Sequence, residues 1–368
     1  MNIAPLIARY ATRFHRAVDC EQHVASPLGA WLILALAAPG ATGAVRDELT
    51  EVLGAPPDKA RDAAAALLAK PHPALASAAA VWRRPEVAAA LQSWLAELPS
   101  AVEVGGIPSQ ADADRWAAEH TLGLIKRFPL EIRPDTVLVL ASALATSVDW
   151  EAPFELAPSA ELRSPWSERV SQVLRSVRQH EAYIASSPVG DVAVHTARSA
   201  DGLAVTSVIA ERGVAPADVL AAAHGTLPHR SLYELELGDS PLWTVTETQG
   251  HGEQHTALLP TWSAQSDHDL MRPEFGFPAA AQALVELLPP AEYRAEAKQS
   301  ALARYTRTGF EAAAVTAMAI RAVAVIEGRK RTATLRFGHP YAVVARAIGG
   351  EWDGVPVFSA WVTEPEEP

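Results

Sequence analysis

The sequence predicts an α+β fold, organised as one large domain over residues 1–368. Three observations lead to this class. Apolar residues recur at helical spacing through the first third of the chain, beginning at Leu6. A β-rich region follows at 163–252, and no low-complexity linker or break in composition divides the chain. With 49% hydrophobic residues, the chain can bury a substantial core.

Composition narrows the classes of partner. A formal net charge of −12 argues against nucleic acid and anionic membrane, because phosphate binding needs concentrated Lys and Arg. The single cysteine, Cys20, excludes an internal disulfide, and we expect a structural, buried thiol. The apolar run 24–38 is shorter than the ~20 residues that span a bilayer, and the basic residues before it lie in a segment too long and too amphipathic for the start of a signal peptide. We therefore expect a cytoplasmic protein.

Apolar periodicity and turn residues predict the elements in order. Helices are predicted at 6–18, 24–38, 42–53, 58–70, 85–98, 110–128 and 214–224. Strands are predicted at 75–82, 135–144, 191–195, 203–209, 256–266, 341–348 and 355–362. Asp201-Gly202 and Gly349-Gly350 predict hairpins between the strands that flank them. The run 135–144 is too apolar to alternate, so we expect a strand buried on both faces.

One apolar stretch, residues 309–328, fits two structures. With a period of two, the even positions from Phe310 to Ile320 form one face and the odd positions from Glu311 to Arg321 form the other. Charges stand only at the two ends of the odd face, which is typical of a strand that is buried on one side. The same Ala-rich residues also favour a helix, and periodicity alone places the helix slightly ahead.

The sequence holds no recognisable catalytic motif. It has neither a glycine-rich phosphate loop nor a Gly-x-Ser-x-Gly elbow. His180-Glu181 begins like a zinc-protease helix, but Ile184 stands where the second His belongs. His251, His255 and His268 form a weak metal pattern beside glycines that favour a loop. We expect no metal, no cofactor and no enzyme, but a binding or conformational device.

Several motifs, each weak alone, occur in an order and spacing that resembles the serpin family over nearly the whole chain. They are Ser26-Pro-Leu28, Gly43-x-x-Arg-Asp-Glu-Leu49, Asp114-x-Trp116 with Thr121-x-Gly123-x-Ile125, Trp150-x-x-Pro-Phe154, Leu259-Pro-x-Trp262, Gly309-x-Glu-Ala-Ala-Ala314 and Phe337-x-His-Pro-Tyr341. The resemblance implies the serpin fold: three β-sheets, eight to nine helices and an exposed reactive-centre loop, expected within 306–336.

The resemblance implies an inhibitor of serine or cysteine proteases that acts as a suicide substrate. The protease cleaves the loop, and the loop then inserts into the main sheet while the protease is still attached. The hinge residues so identified are Gly309, Phe310, Glu311, Ala312, Ala313 and Ala314. Counting along this hinge places the scissile bond at Val323–Ala324, with Arg321, Ala322 and the cluster 329–331 as rivals. The expected partner of the monomer is an elastase-, subtilisin- or trypsin-like protease.

The resemblance also assigns groups around the sheet opening. Ser26 matches a polar cluster beneath the opening, and Trp150 is the expected anchor at the top of the sheet. Gly29, Ser142 and Gln299 stand where the family commonly has Ser, Asn and His.

Two residues depart from the family pattern, one in the hinge and one just before it. Phe310 replaces the small residue that enters the sheet first, and its ring needs a pocket or insertion slows. Arg307 replaces the usual hinge acid. These departures keep a second hypothesis open: a non-inhibitory serpin-fold protein that binds a partner or ligand without trapping a protease.

Overall fold

Strand pairing organises the chain into two complete sheets and one sheet that is parted along its middle. The computed structural model describes residues 2–310 and 329–368. The α-helices within these residues are α1 Ala4–Arg16, α2 Pro27–Ala37, α3 Gly43–Leu53, α4 Pro57–Leu68, α5 Gln92–Ala96, α6 Gln110–His120, α7 Pro216–His224 and α8 Phe277–Val285. None of these helices is long and apolar enough to cross a membrane.

The strands of the described residues fall into groups by sheet. They are β1 His23–Ala25, β2 Ala76–Arg83, β3 Val102–Gly106, β4 Leu138–Ala145, β5 Val148–Asp149, β6 Glu155–Pro158, β7 Gln172–Arg175, β8 Glu181–Ser187, β9 Gly190–Arg198, β10 Leu203–Ile209, β11 Gly238–Asp239, β12 Trp243–Gln249, β13 Gly252–Leu259, β14 Trp262–Asp269, β15 Lys298–Tyr305, β16 Gly309–Phe310, β17 Arg329–Arg336, β18 Tyr341–Ala347 and β19 Pro356–Val362.

Two of the sheets have six strands each. Their orders are β1-β19-β18-β10-β9-β8 and β11-β12-β17-β13-β7-β6. The predicted hairpins β9–β10 and β18–β19 are both present as antiparallel pairs in the first sheet. The main sheet consists of β3-β2-β4 on one side and β14-β15 on the other, with the short pair β16-β5 near their ends.

Helix α2 lies at the centre of the molecule because its sequence is apolar around its whole circumference. Ser26 caps its N-terminus by accepting a hydrogen bond from the Gly29 N–H at 3.2 Å, and Pro27 occupies its first turn. This geometry places Ser26 and Gly29 beneath the parted sheet.

Several predicted boundaries were wrong for identifiable reasons. The helix predicted at 110–128 ends at His120, because Leu122 and Gly123 adopt positive φ and the Thr121 hydroxyl accepts the Ile125 N–H at 3.0 Å. Pro260 interrupts the strand predicted at 256–266, and its halves join different sheets. The helix predicted at 85–98 is reduced to a 3₁₀ turn and α5.

Two expectations about burial were also wrong. Along β4, buried and half-buried residues alternate, so the strand is not buried equally on both faces. The half-buried positions include Leu140 and Leu144, which line an open groove. Cys20 is exposed, because it lies in the turn between α1 and β1 instead of in the core.

Candidate functional site at the opening of the main sheet

An apolar groove separates β4 from β15. Its volume is about 270 Å³, and it is lined by both strands, by α2 and α8, and by the segment that follows α6. Within the described residues β4 pairs only with β2, and β15 pairs only with β14. Each strand therefore turns an edge without a ladder partner toward the groove, and such an edge is a template for another strand.

The start of the predicted hinge enters the top of this groove as strand β16. Gly309 pairs with Asp149 and Phe310 with Val148, in antiparallel register. The chain reaches this position through a tight turn after β15, in which the Thr306 N–H donates to the Gly309 carbonyl at 3.0 Å. The first two hinge residues are thus already paired with the continuation of β4.

Phe310 has the pocket that its ring requires. Its side chain is 4% exposed, and its ring centroid lies 6.5 Å from those of both Trp150 and Trp262. Tyr305 completes the aromatic cluster at 5.2 Å from Trp150, and burial raises the pKa of its phenol well above the ordinary value. A ring at this position therefore fits the top of the sheet.

Trp150 lies at the top of the main sheet, as expected, and it binds the residues that precede the hinge. Its backbone N–H donates to the Thr308 carbonyl at 2.9 Å, and its indole N–H donates to the Thr306 carbonyl at 3.1 Å. Phe154 donates its N–H to the Arg307 carbonyl at 2.9 Å, and the Arg307 Nε donates to the Phe154 carbonyl at 3.0 Å. Arg307 therefore makes a backbone contact to the turn at 150–154.

The three predicted residues of the sheet-opening cluster come together beneath the groove. Gln299 bonds both backbone groups of Ser26: its Oε1 accepts the Ser26 N–H at 2.9 Å, and its Nε2 donates to the Ser26 carbonyl at 2.8 Å. The Ser26 hydroxyl donates to the Val357 carbonyl at 2.8 Å. Ser142 joins through Gly29, whose carbonyl accepts its hydroxyl at 2.9 Å. The cluster thereby ties β4 and β15 to the same end of α2.

The rest of the predicted loop site is outside the described residues. This group comprises Glu311, Ala312, Ala313, Ala314, Arg321, Ala322, Val323 and Ala324. At the far end of the predicted region 306–336, residues 329–336 form β17, which pairs with β12 and β13.

The basic cluster 329–331 belongs to a sheet, as the first residues of β17. The Arg331 side chain is 13% exposed; its Nε donates to Glu247 at 3.0 Å, and its Nη1 donates to the Leu232 and Leu235 carbonyls. Cleavage at Arg331 would require β17 to leave both neighbours. The cluster is therefore a poor rival for the scissile bond.

Sequence reasoning missed a histidine pair next to the hinge. His195 Nε2 lies 3.2 Å from His180 Nδ1, and both rings contact Phe154. Burial lowers the pKa of both imidazoles. The sequence offered no signal for this pair, because strand β8, which pairs Ala182 with His195, was not among the predicted strands. In contrast, His255 and His268 of the weak metal pattern lie in different sheets.

Comparison with known proteins agrees with this geometry. Residues 6–161 match the family Serpin (serine protease inhibitor). No curated protein sequence matches the chain. Among solved structures, the thermophilic serpin tengpin in its native state is 14% identical with a TM-score of 0.70, and the match covers 98% of this chain and 93% of tengpin.

Two further solved structures are similar over similar lengths. Serpin48 of the insect Tenebrio molitor is 16% identical with a TM-score of 0.66, covering 99% of this chain and 98% of Serpin48. Thyroxine-binding globulin in complex with thyroxine is 14% identical with a TM-score of 0.62, covering 99% and 98%. At such identities these likenesses establish the fold alone.

The resemblance found in the sequence is therefore confirmed: residues 6–161 match the serpin family, and the chain has the serpin fold. The two complete sheets and the parted main sheet are the three sheets that the resemblance implied. The family supplies a general kind of function, protease inhibition, although serpin-fold structures include thyroxine-binding globulin.

Proposed function

We propose that this chain inhibits a serine or cysteine protease as a suicide substrate, with cleavage near 321–324 and insertion of the loop between β4 and β15. The observation that supports this most directly is the groove itself, with two strand edges that have no ladder partner among residues 2–310 and 329–368 and with the hinge paired at its top. A cytoplasmic, monomeric inhibitor of an elastase-, subtilisin- or trypsin-like enzyme belongs to the same proposal.

The hinge register predicts where each loop residue would go. Each step forward from Phe310 would match one step back along β4 from Val148, because the pairing is antiparallel. Thr316 would then lie opposite Ser142. On the other side, the turn that pairs Thr306 with Gly309 would bring the same Thr316 opposite Gln299 on β15.

In this register, apolar loop residues would face apolar positions of the groove, and the polar loop residue would face the polar cluster. Antiparallel partners share a face, so even-numbered loop residues would lie on the same side as Val148, Leu144 and Leu140, which pack against the main core. Thr316 is the one polar residue among the even positions from 310 to 320, and it would meet the polar cluster. The alanines would fill the narrow positions beside Leu144.

Insertion would be strongly favourable. About ten loop residues would pair with the two free edges, and each net hydrogen bond contributes about 1 kcal/mol. Burial of Leu140, Leu144 and the apolar loop face would add to this. A protease that is still attached by its acyl bond would be displaced by the same movement.

The test is incubation of the protein with elastase, subtilisin and trypsin, followed by denaturing electrophoresis. We expect a covalent adduct with at least one protease. Sequencing of the released peptide should then identify a cut within 321–324. Clean cleavage by all three enzymes without any adduct would contradict protease trapping.

A matched pair of variants tests the register. Ala314→Glu would place a carboxylate on the core face beside Leu144, where burial of a charge costs several kcal/mol, so cleavage should proceed without an adduct. Ala313→Glu would place the same charge on the outer face, which already carries Glu311, and should keep most of the adduct. Equal loss in both variants would refute the register.

The second candidate function is a serpin-fold binding protein that does not trap a protease. Similarity to thyroxine-binding globulin and the departure at Arg307 favour it. Its signature is loop cleavage without a large gain in thermal stability, because the loop would stay outside the sheet.

A further inference from the structure

The base of the loop is held by the turn at 150–154. Four hydrogen bonds connect this turn to residues 306–308, two of them through Trp150 and two through Phe154. Any group that positions this turn therefore also positions the hinge.

Two histidines, the half-buried His180 and the fully buried His195, hold this turn from its other side. His180 Nε2 lies 2.7 Å from the Ala152 carbonyl oxygen, and the His180 ring meets the Phe154 ring edge-on with centroids 4.3 Å apart. His195 on β9 lies behind His180 and is 0% exposed, with its ring centroid 5.3 Å from that of Phe154. The turn at 150–154 therefore packs against both imidazole rings.

The hydrogen bonds determine which nitrogens carry protons. The Ala152 carbonyl can only accept, so His180 Nε2 is the donor and His180 Nδ1 is an acceptor. His195 Nε2 must then donate to His180 Nδ1. This leaves His195 Nδ1 as a buried acceptor with no hydrogen-bond partner in the described part of the chain.

An additional proton has no suitable place in this arrangement. On His180 Nδ1 it would force the His195 proton from Nε2 to the buried Nδ1, which has no partner in the described part of the chain, and on His195 Nδ1 it would put a charge into a fully buried site. Burial lowers the pKa of His180, although the hydrogen bond to Ala152 partly offsets this. Burial, and then the neighbouring His180, hold the pKa of His195 well below its usual range.

The surroundings do not offset this cost. The ionisable groups on the neighbouring elements are Glu181 on β8, Arg178 ahead of it, Arg198 on β9, Glu151 in the turn, Arg307 in the hinge and Tyr305 on β15. Glu181 pairs with Arg198 at 3.3 Å, and Arg307 binds the Phe154 carbonyl. Ser207 of β10, which lies opposite His195, offers a neutral hydroxyl but no carboxylate.

We propose that His180 and His195 form a pH-sensitive positioning pair, whose protonation frees the turn at 150–154 and lets the hinge leave β5. Undocking of the hinge in acid follows from the pair alone. A pH dependence of protease trapping rests in addition on the proposed function.

The size of the effect follows from linkage. In the undocked state an exposed imidazole titrates near its ordinary pKa of 6.5, whereas the docked pair excludes the proton. Uptake of one proton favours the undocked state about tenfold for each pH unit below this value. Between pH 7.5 and 5.5 we expect the undocked population to rise about tenfold.

The test is amide hydrogen exchange of the full-length protein at pH 7.5 and 5.5, corrected for the intrinsic pH dependence of exchange. Protection of the Trp150 and Phe154 amides, which donate to the Thr308 and Arg307 carbonyls just before the hinge, should fall about tenfold in acid. The amide of Val343, inside a six-stranded sheet, reports global unfolding. An unchanged ratio between the hinge amides and Val343 in the wild-type protein would overturn the proposal.

Variants distinguish the effect of His180 and His195 from the effects of other groups that titrate between pH 7.5 and 5.5. His195→Phe and His180→Gln should each remove most of the acid-induced change at Trp150. His339→Gln alters a buried histidine that binds the Ala210 carbonyl, and it should leave the change intact. A change of wild-type size in both pair variants would overturn the proposal. If either variant misfolds, the ratio between the protection of the Trp150 and Phe154 amides and that of Val343 in the wild-type protein still tests the proposal.

A parallel protease assay at pH 7.5 and 5.5 distinguishes the proposal of protease inhibition from the proposal about the histidine pair. Absence of an adduct at either pH would refute inhibition but leave the exchange result as evidence for or against the histidine pair. An adduct yield that changes with pH in the wild-type protein but not in His195→Phe is the outcome expected if both proposals hold.

Discussion

Replacement of Phe310 by alanine would remove the largest side chain that the hinge places inside the sheet. The ring is 4% exposed and packs between Trp150 and Trp262. Phe310 belongs to a two-residue strand next to a turn, so its loss should release the hinge locally and leave the rest of the fold intact.

The expected magnitude follows from burial. Phe→Ala substitutions in cores cost about 3–5 kcal/mol, and the lower end applies here because a short strand at the edge of a groove can relax. A loss of about 3 kcal/mol shifts the docking equilibrium of the hinge more than a hundredfold toward the undocked state. Because insertion would keep Phe310 in the same pocket, the cleaved form should lose a similar free energy.

Hydrogen exchange of the Trp150 amide measures this docking, since that amide donates to the Thr308 carbonyl. We expect protection to fall about a hundredfold in Phe310→Ala and by less than tenfold in Phe310→Leu, which keeps most of the apolar volume. Unchanged protection in Phe310→Ala would refute the inference that the ring holds the hinge.

Three further changes have defined outcomes. Trp150→Phe removes the indole hydrogen bond to the hinge and should lower protection of the hinge-bonded amides about tenfold, measured by exchange; unaltered protection contradicts the anchor role. Gln299→Ala removes the partner of the Ser26 N–H and leaves the Ser26 carbonyl with only the Ala30 N–H, so it should cost about 2 kcal/mol in urea unfolding, whereas a loss below 0.5 kcal/mol contradicts the role of the cluster. Burial lowers the pKa of His23 to about 4 and that of His224 to about 3, so the folded state excludes protons that the unfolded state binds below pH 6.5. Stability should therefore fall by about 1.4 kcal/mol per pH unit for each residue as pH drops from 6.5 toward 4, and His224→Leu should flatten this slope in urea unfolding at pH 7 and 5; an unchanged slope contradicts the assignment.

Elements with strong periodicity were predictable from sequence. Helices α1 to α4 follow apolar spacing together with Pro and Gly at their ends, and the hairpin β9–β10 follows Asp201-Gly202. The helix predicted at 110–128 failed because Thr121 offers its hydroxyl to the backbone, an option that periodicity does not register. The strand predicted at 256–266 failed because Pro260 has no N–H to donate to a ladder and therefore ends β13.

Parts of the candidate site depend on pairings between distant residues. The resemblance identified Ser26, Ser142 and Gln299 singly, but only the fold brings β4 and β15 to opposite sides of one groove. Likewise, the pocket of Phe310 is formed by Trp150 and Trp262, which are far apart in sequence. The sequence shows that Phe310 departs from the family pattern, but it does not show which residues surround the Phe310 ring.

The most direct test of loop insertion is the melting temperature of the intact protein and of the protein cleaved at 321–324. An inserted strand of about ten residues would contribute on the order of 10 kcal/mol, which corresponds to a rise of roughly 15 °C for a chain of this size. We predict a rise of this order after cleavage in the wild-type protein and a much smaller one in Ala314→Glu. A cleaved wild-type protein that melts at the temperature of the intact one would contradict insertion and favour the binding protein.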